Sequence, residues 1–125
     1  LFRLQNKVPS LNEHLDLSVI AMQHSEDMYT QNYLSHDSPT NGSLKERLEM
    51  SNIHYEGVGE NLASAYLDAI EAAHGWLNSE KHREVMLDDY YTHVGYGVFL
   101  NYYTQIMIKQ EEEPSQNEAP INEDY

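Results

Sequence analysis

Apolar residues recur at helical spacing soon after Pro9, at Leu11, Leu15, Val19 and Met22. They follow the capping box Ser10-Leu11-Asn12-Glu13, so the pattern predicts an amphipathic helix from there to about Asn32. The stretch from Tyr33 to Pro39 leaves that helix, and Thr40-Asn41-Gly42 reads as a turn. A second capping box, Ser43-Leu44-Lys45-Glu46, opens a short helix through Leu48 to about Met50. Val58 to Ala63 reads as a short extended segment behind the glycines Gly57 and Gly59. Asp68 with Glu71 three residues on marks another helix start, with Ile70, Ala73 and Leu77 as its inward stripe and Trp76 beside it. Ser79 caps a further short helix, Glu80 to Leu87. Val94, Tyr96, Val98 and Leu100 then alternate with His93, Gly95, Gly97 and Phe99, the period of a strand. Asn101 turns the chain, and Tyr102 to Ile108 returns as a second strand. Gly95 and Gly97 leave one face of the first strand open to close approach.

Composition narrows the function. The 125 residues carry a formal charge of -14, from 7 Lys and Arg against 21 Asp and Glu. Residues 109–125 hold one lysine and six acids and read as a disordered tail or linker; residues 1–108 keep a net -9 and form the domain. Such a chain is repelled by phosphate backbones, which makes nucleic acid and anionic lipid poor partners and a cation a better one. The absence of cysteine excludes a disulfide framework and any thiolate metal site. No apolar run is long enough for a transmembrane helix. The chain opens at Leu1 without a signal sequence, the expectation for a processed or excised piece of a longer protein.

The chemistry centres on Gly57-Val58-Gly59-Glu60-Asn61-Leu62-Ala63. A carboxylate entering an apolar segment needs a partner, and the candidates for Glu60 are His36 upstream and His82 downstream. His82 falls in the first turn of its helix, where the dipole favours a neutral, ligating imidazole. Two imidazoles and a carboxylate suffice for an open zinc site with water in the fourth position, with Asp37, Ser79 or Asn61 orienting the rings from behind. The same three groups without metal form a proton-transfer set, or a polar network that pins loops to the sheet. Trp76 reads as a packing residue and His24 as a packed or half-exposed helix residue. His14, His54 and His74 read as exposed, and Arg83 as a partner for Glu84, Asp88 or Asp89.

Four motifs stand in order: Tyr33-Leu34-Ser35-His36-Asp37-Ser38-Pro39, Gly59-Glu60-Asn61-Leu62-Ala63, Gly75-Trp76-Leu77-Asn78-Ser79-Glu80-Lys81-His82-Arg83, and Thr92-His93-Val94-Gly95-Tyr96-Gly97-Val98. Together they resemble the bacterial branch of the SCP domain, of the superfamily of cysteine-rich secretory proteins, antigen 5 and pathogenesis-related-1 proteins. The resemblance spans about residues 4–108. It implies an α+β fold, a three-layer α-β-α sandwich with a small antiparallel sheet between helices. It also implies a central cavity holding His36, Glu60 and His82. Many members carry a second Glu shortly after the tryptophan. Here Ser79 stands near that place, and Glu80-Lys81 replaces the usual Pro-Gly, with Glu80 as a substitute carboxylate.

The resemblance further implies a secreted bacterial module at the cell surface, wall or spore, binding Zn2+ or another divalent cation, or a small ligand, lipid or protein. The alternative is a hydrolase, protease- or esterase-like, in which a metal- or His-activated water attacks with Glu60 as base. No Gly-x-Ser-x-Gly or His-Glu-x-x-His motif is present.

Overall fold

The computed structural model describes residues 2–111. The elements are α1 (Phe2–Gln5), β1 (Asn12–Glu13), α2 (Leu15–Gln31), α3 (Leu44–Met50), β2 (Tyr55–Ser64), α4 (Ala69–Leu77), α5 (Glu80–Leu87), β3 (His93–Phe99) and β4 (Tyr102–Gln110). The sheet order is β1-β3-β4-β2. The pairs β2–β4 and β3–β4 are antiparallel, and β1 adds a two-residue parallel edge on β3. The fold is the α-β-α sandwich the resemblance implies. Leu17, Ile20, Ala21 and Leu48 from α2 and α3 pack with Ile106 and Ile108 on one face of the sheet. Ala72, Trp76 and Met86 from α4 and α5 pack with Val94, Tyr103 and Met107 on the other.

The cap chemistry of α3 and α4 reads directly from sequence. Ser43 accepts from the Glu46 backbone N–H while the Glu46 carboxylate accepts from that of Ser43, closing the capping box. Asp68 caps α4 by accepting from the Glu71 N–H at 2.8 Å. Trp76 is a packing residue, its Nε1–H donating to the Leu62 carbonyl at 2.9 Å.

The first capping box does not form. Asn12 and Glu13 leave the helix to pair with His93 and Val94, and α2 starts at Leu15 with His14 as N-cap, its Nδ1 accepting from the Leu17 N–H at 3.1 Å. The helical phase also differs from the stripe read from the large apolar residues. Leu15, Val19 and Met22 are exposed, whereas Leu17, Ile20, Ala21, His24, Ser25 and Met28 are buried. The reason lies across the interface. A Cβ on Gly95 would land on the backbone of Leu17 and Ser18, and one on Gly97 on that of Ala21 and Met22. The helix therefore lies against bare backbone, and small or polar residues fill the seam. Ser25 Oγ donates to the Gly97 carbonyl at 2.9 Å and meets Thr104 Oγ1 at 2.7 Å.

On α4, Ala72 and Trp76 are buried and Ala73 and Leu77 pack partly buried against the same core, as expected, while Ile70 faces solvent. The lead-in before Pro9 contains the short helix α1, whose Arg3 is buried and donates to the carbonyls of Pro9, Met86 and Asp88. Lys109 and Gln110, read as part of the tail, belong to β4; the rest of the expected tail from residue 112 lies outside the described residues.

Candidate functional site

Glu60 sits in the middle of β2, an edge strand of the sheet. Alternation along β2 decides which side each residue serves. Val58 packs with the α2/α3 core, and a Cβ on Gly59 would meet Tyr91 and Val85 on the other side. Glu60 thus faces the α2/α3 layer and Asn61 the α4/α5 layer.

The Glu60 carboxylate is almost fully enclosed, with 1% of its side chain exposed. Its Oε1 accepts from His36 Nδ1 at 2.7 Å. Both of its oxygens accept from Arg47 Nη2 at 3.1 Å, and the same nitrogen donates to the His36 carbonyl at 2.8 Å. Arg47 is the partner that sequence reasoning missed. It lies on α3, one residue past the capping-box glutamate, and its side chain is only 5% exposed. A buried carboxylate needs a buried countercharge, and an arginine placed in the short helix between His36 and Glu60 was the available signal. Arg47 Nε and Nη1 find no partner among the described residues, so Nη2 carries its directed contacts.

The His36 ring is anchored at one end and open at the other, with 58% of the side chain exposed. Its hydrogen bond to Glu60 raises its pKa above the ordinary 6.5, outweighing the opposing effect of burial. The segment behind it is held twice. His24, fully buried, donates from Nε2 to the Ser35 carbonyl at 2.8 Å, and Arg47 holds the next carbonyl along.

His82 belongs to the opposite layer. It lies in the first turn of α5, half-buried, with Nδ1 at 2.9 Å from Ser79 Oγ. Ser79 is the N-cap residue of α5 but makes no side-chain cap bond; its hydroxyl serves His82 instead. Asn61 donates to Gln105 Oε1 at 2.9 Å and to the His82 carbonyl at 3.4 Å, so it holds the backbone of His82 and not its ring. Burial first, then the charges of His36 and Lys81, lower the His82 pKa, favouring the neutral imidazole.

The structure therefore joins His36 directly to Glu60, while His82 sits on α5, where the charge of His36 helps to lower its pKa. It does not gather the three into one coordination cluster. Among the described residues no group of three or more His, Cys, Asp or Glu is placed to hold a metal ion. The donors do not fit a divalent cation as they stand, because the one buried carboxylate already faces a guanidinium. Asp37 is exposed and its backbone N–H donates to Ser35 Oγ. Glu80 is exposed in the first turn of α5. Arg83 donates to the Leu77 carbonyl at 3.2 Å in place of the expected acidic partners; among the described residues the ion pairs are His36–Glu60 and Arg47–Glu60.

Two larger cavities flank this cluster without including His36, Glu60 or His82. A polar one of about 470 Å3 lies between α2 and α3, lined by Gln23, His24, Asp27 and Arg47 among others. An apolar one of about 690 Å3 lies between α4 and β3, lined by Ile70, Trp76, Tyr96 and Val98 among others.

Residues 1–106 match the CAP family, described as the Cysteine-rich secretory protein family. The chain belongs to that family. It is 44% identical over 110 residues to the "Uncharacterized membrane protein YlbC" of Bacillus subtilis (strain 168), a match covering 88% of this chain and 32% of that protein. Its fold superimposes on the crystal structure of an extracellular protein containing a SCP domain from Bacillus anthracis str. Ames, with a TM-score of 0.86 and 39% identity. That match covers 87% of this chain and 37% of the other. An outer surface protein from Borrelia burgdorferi shares the fold alone, with a TM-score of 0.78 at 16% identity over 88% of this chain and 85% of that one. This CAP domain spans about a third of the length of the B. subtilis protein it matches. No helix among the described residues is long and apolar enough to cross a membrane.

Proposed function

We propose that this chain is the ligand-binding CAP domain of a protein that works outside the bacterial cytoplasm, at the cell surface, wall or spore. Its ligand is met chiefly by His36, with His82 across the β2 edge, and is bound without being chemically converted. One observation carries the reading: His36 is fixed at Nδ1 by the buried Glu60 while most of its side chain stays open to solvent. A group oriented from behind and exposed in front is pre-organised for recognition. The description of the Bacillus anthracis relative as an extracellular protein supports the location.

Hydrolysis needs Glu60 free to take a proton from water. Here its two oxygens accept from Arg47 and His36, which favours binding over turnover. The test follows the histidine ring resonances of His36 and His82 by NMR while purified bacterial sacculi fragments, phosphatidylcholine vesicles or a mixed peptide library are added. A peptide and ester hydrolysis assay runs beside it. The expected result is that one of the three probes shifts both rings, that His36→Ala abolishes the effect, and that no substrate turns over. Turnover that disappears in Glu60→Gln would overturn the binding reading in favour of the hydrolase.

A further inference from the structure

We infer that Arg47 is the resident cation of this pocket, and that it closes the His36–Glu60 pair to divalent metals. A histidine and a glutamate side by side would otherwise offer zinc a negative charge and a neutral nitrogen. In this chain the negative charge is already spoken for. Arg47 Nη2 lies 3.1 Å from each Glu60 oxygen, inside an enclosure where both side chains are at most 5% exposed. A guanidinium does not lose its proton at any working pH, so its charge stays in place. Nor is it free to swing aside without cost, because the same nitrogen holds the His36 carbonyl at 2.8 Å. A divalent ion at Glu60 would sit beside a fixed positive charge in poorly screened surroundings and would have to break the hold on the His36 backbone as well.

The two ends of the arrangement belong to one device. Arg47 fixes the carboxylate, the carboxylate fixes His36 Nδ1 at 2.7 Å, and Arg47 also fixes the carbonyl of that same histidine. The pocket thus obtains its charge balance and its histidine geometry from α3, where a metalloprotein would obtain both from the ion. Arg47 is a specificity-determining residue in this sense: it decides that the site receives something other than a cation. The inference rests on the proposed binding role only in treating the His36 edge as the working surface. Zinc binding and substrate turnover are measured separately, so the failure of one is not read as the failure of the other.

The test is calorimetric titration of zinc chloride into wild type, Arg47→Gln and Arg47→Gln/His36→Ala, each first shown to be folded by circular dichroism. The informative quantity is the part of the zinc binding that His36→Ala removes, which sets aside any weak binding by other exposed histidines. The expected outcome is no His36-dependent binding in wild type and a saturable His36-dependent site in Arg47→Gln, lost again in the double variant. Saturable zinc binding by wild type that depends on His36 overturns the inference. A folded Arg47→Gln that binds zinc no better than wild type overturns it equally. Should Arg47→Gln fail to fold, Arg47→Lys keeps the charge while shortening the reach, and zinc should remain excluded; a His36-dependent site in Arg47→Lys overturns the argument from charge.

Discussion

Replacing Arg47 by Met keeps much of the volume of the side chain and removes its charge. The carboxylate left behind is only 1% exposed, and its remaining charged partner is His36, which is itself largely in solvent. At a separation near 3 Å and an effective dielectric of ~20, the Arg47–Glu60 attraction is on the order of 5 kcal/mol before the cost of removing both groups from water. That cost cancels much of the net worth of the pair but does not soften the loss of one partner, which for a buried pair costs about 3–5 kcal/mol. A domain of this size has a total stability of about 5–15 kcal/mol, so Arg47→Met should lose a large part of it. Glu60→Gln should be harmful for the mirror-image reason. The double variant Arg47→Met/Glu60→Gln leaves no stranded charge and should lose less than the sum of the singles, with a coupling of at least about 2 kcal/mol. Urea unfolding followed by tryptophan fluorescence measures all four proteins, with the slope confirming that two-state behaviour is kept. Strict additivity, or a cost for Arg47→Met below about 1 kcal/mol, would refute the idea that the pair is the electrostatic centre of the site.

Three further outcomes test the frame around it. Gly97→Ala should destabilise the domain at or beyond the upper end of the ~1–3 kcal/mol seen for overpacking, because the added methyl meets helix backbone that cannot rotate away; a neutral result in thermal melts would deny the close approach of α2. Trp76→Phe should cost about 2 kcal/mol or more in the same assay, since it strands the buried Leu62 carbonyl as well as leaving space. His24 has its pKa held below the ordinary 6.5, first by burial and then by the charge of Arg47. The unfolded chain therefore takes up a proton before the folded one does. The stability from this residue is fully present above about pH 6.5 and falls as the pH drops through that value towards the folded pKa. Urea midpoints measured from about pH 7.5 to about pH 5 should decline more steeply in wild type than in His24→Gln; identical slopes would remove His24 as a contributor.

Local signals are the legible ones. Ser43 with Glu46 and Asp68 with Glu71 each satisfy backbone donors within a single turn, so four residues are enough to specify the helix start. The alternation of β3 is likewise local, and the glycines on it do mark a close approach. What escapes depends on partners far along the chain. Ser10 and Glu13 carry the letters of a capping box, but the backbone of Asn12 donates to the Thr92 carbonyl at 3.0 Å, and pairing with β3 overrides the cap. The phase of α2 is hidden because Leu15, Val19 and Met22 look more hydrophobic than Ala21, Ser25 and His24. It is the smaller and polar set that the bare backbone of Gly95 and Gly97 admits.

At the site, the pairing of Glu60 with His36 follows from the need of a buried carboxylate for a partner. Which residues join it is not local: strand alternation sends Glu60 and Asn61 to opposite sides of an edge strand, and Asn61 holds the backbone of His82 and not its ring. Arg47 reads in sequence as one more charged residue on a short helix. Its burial is a property of the packed layers and not of its neighbours in sequence.

The most direct trial of the charge-balanced pocket is a crystal structure of the wild-type domain soaked in zinc, with anomalous scattering recorded at the zinc edge. No anomalous peak is expected at Glu60, with Arg47 Nη2 still within hydrogen-bond distance of the carboxylate and His36 Nδ1 on Oε1. A zinc ion bonded to Glu60 and His36, with Arg47 turned away from both, would contradict it.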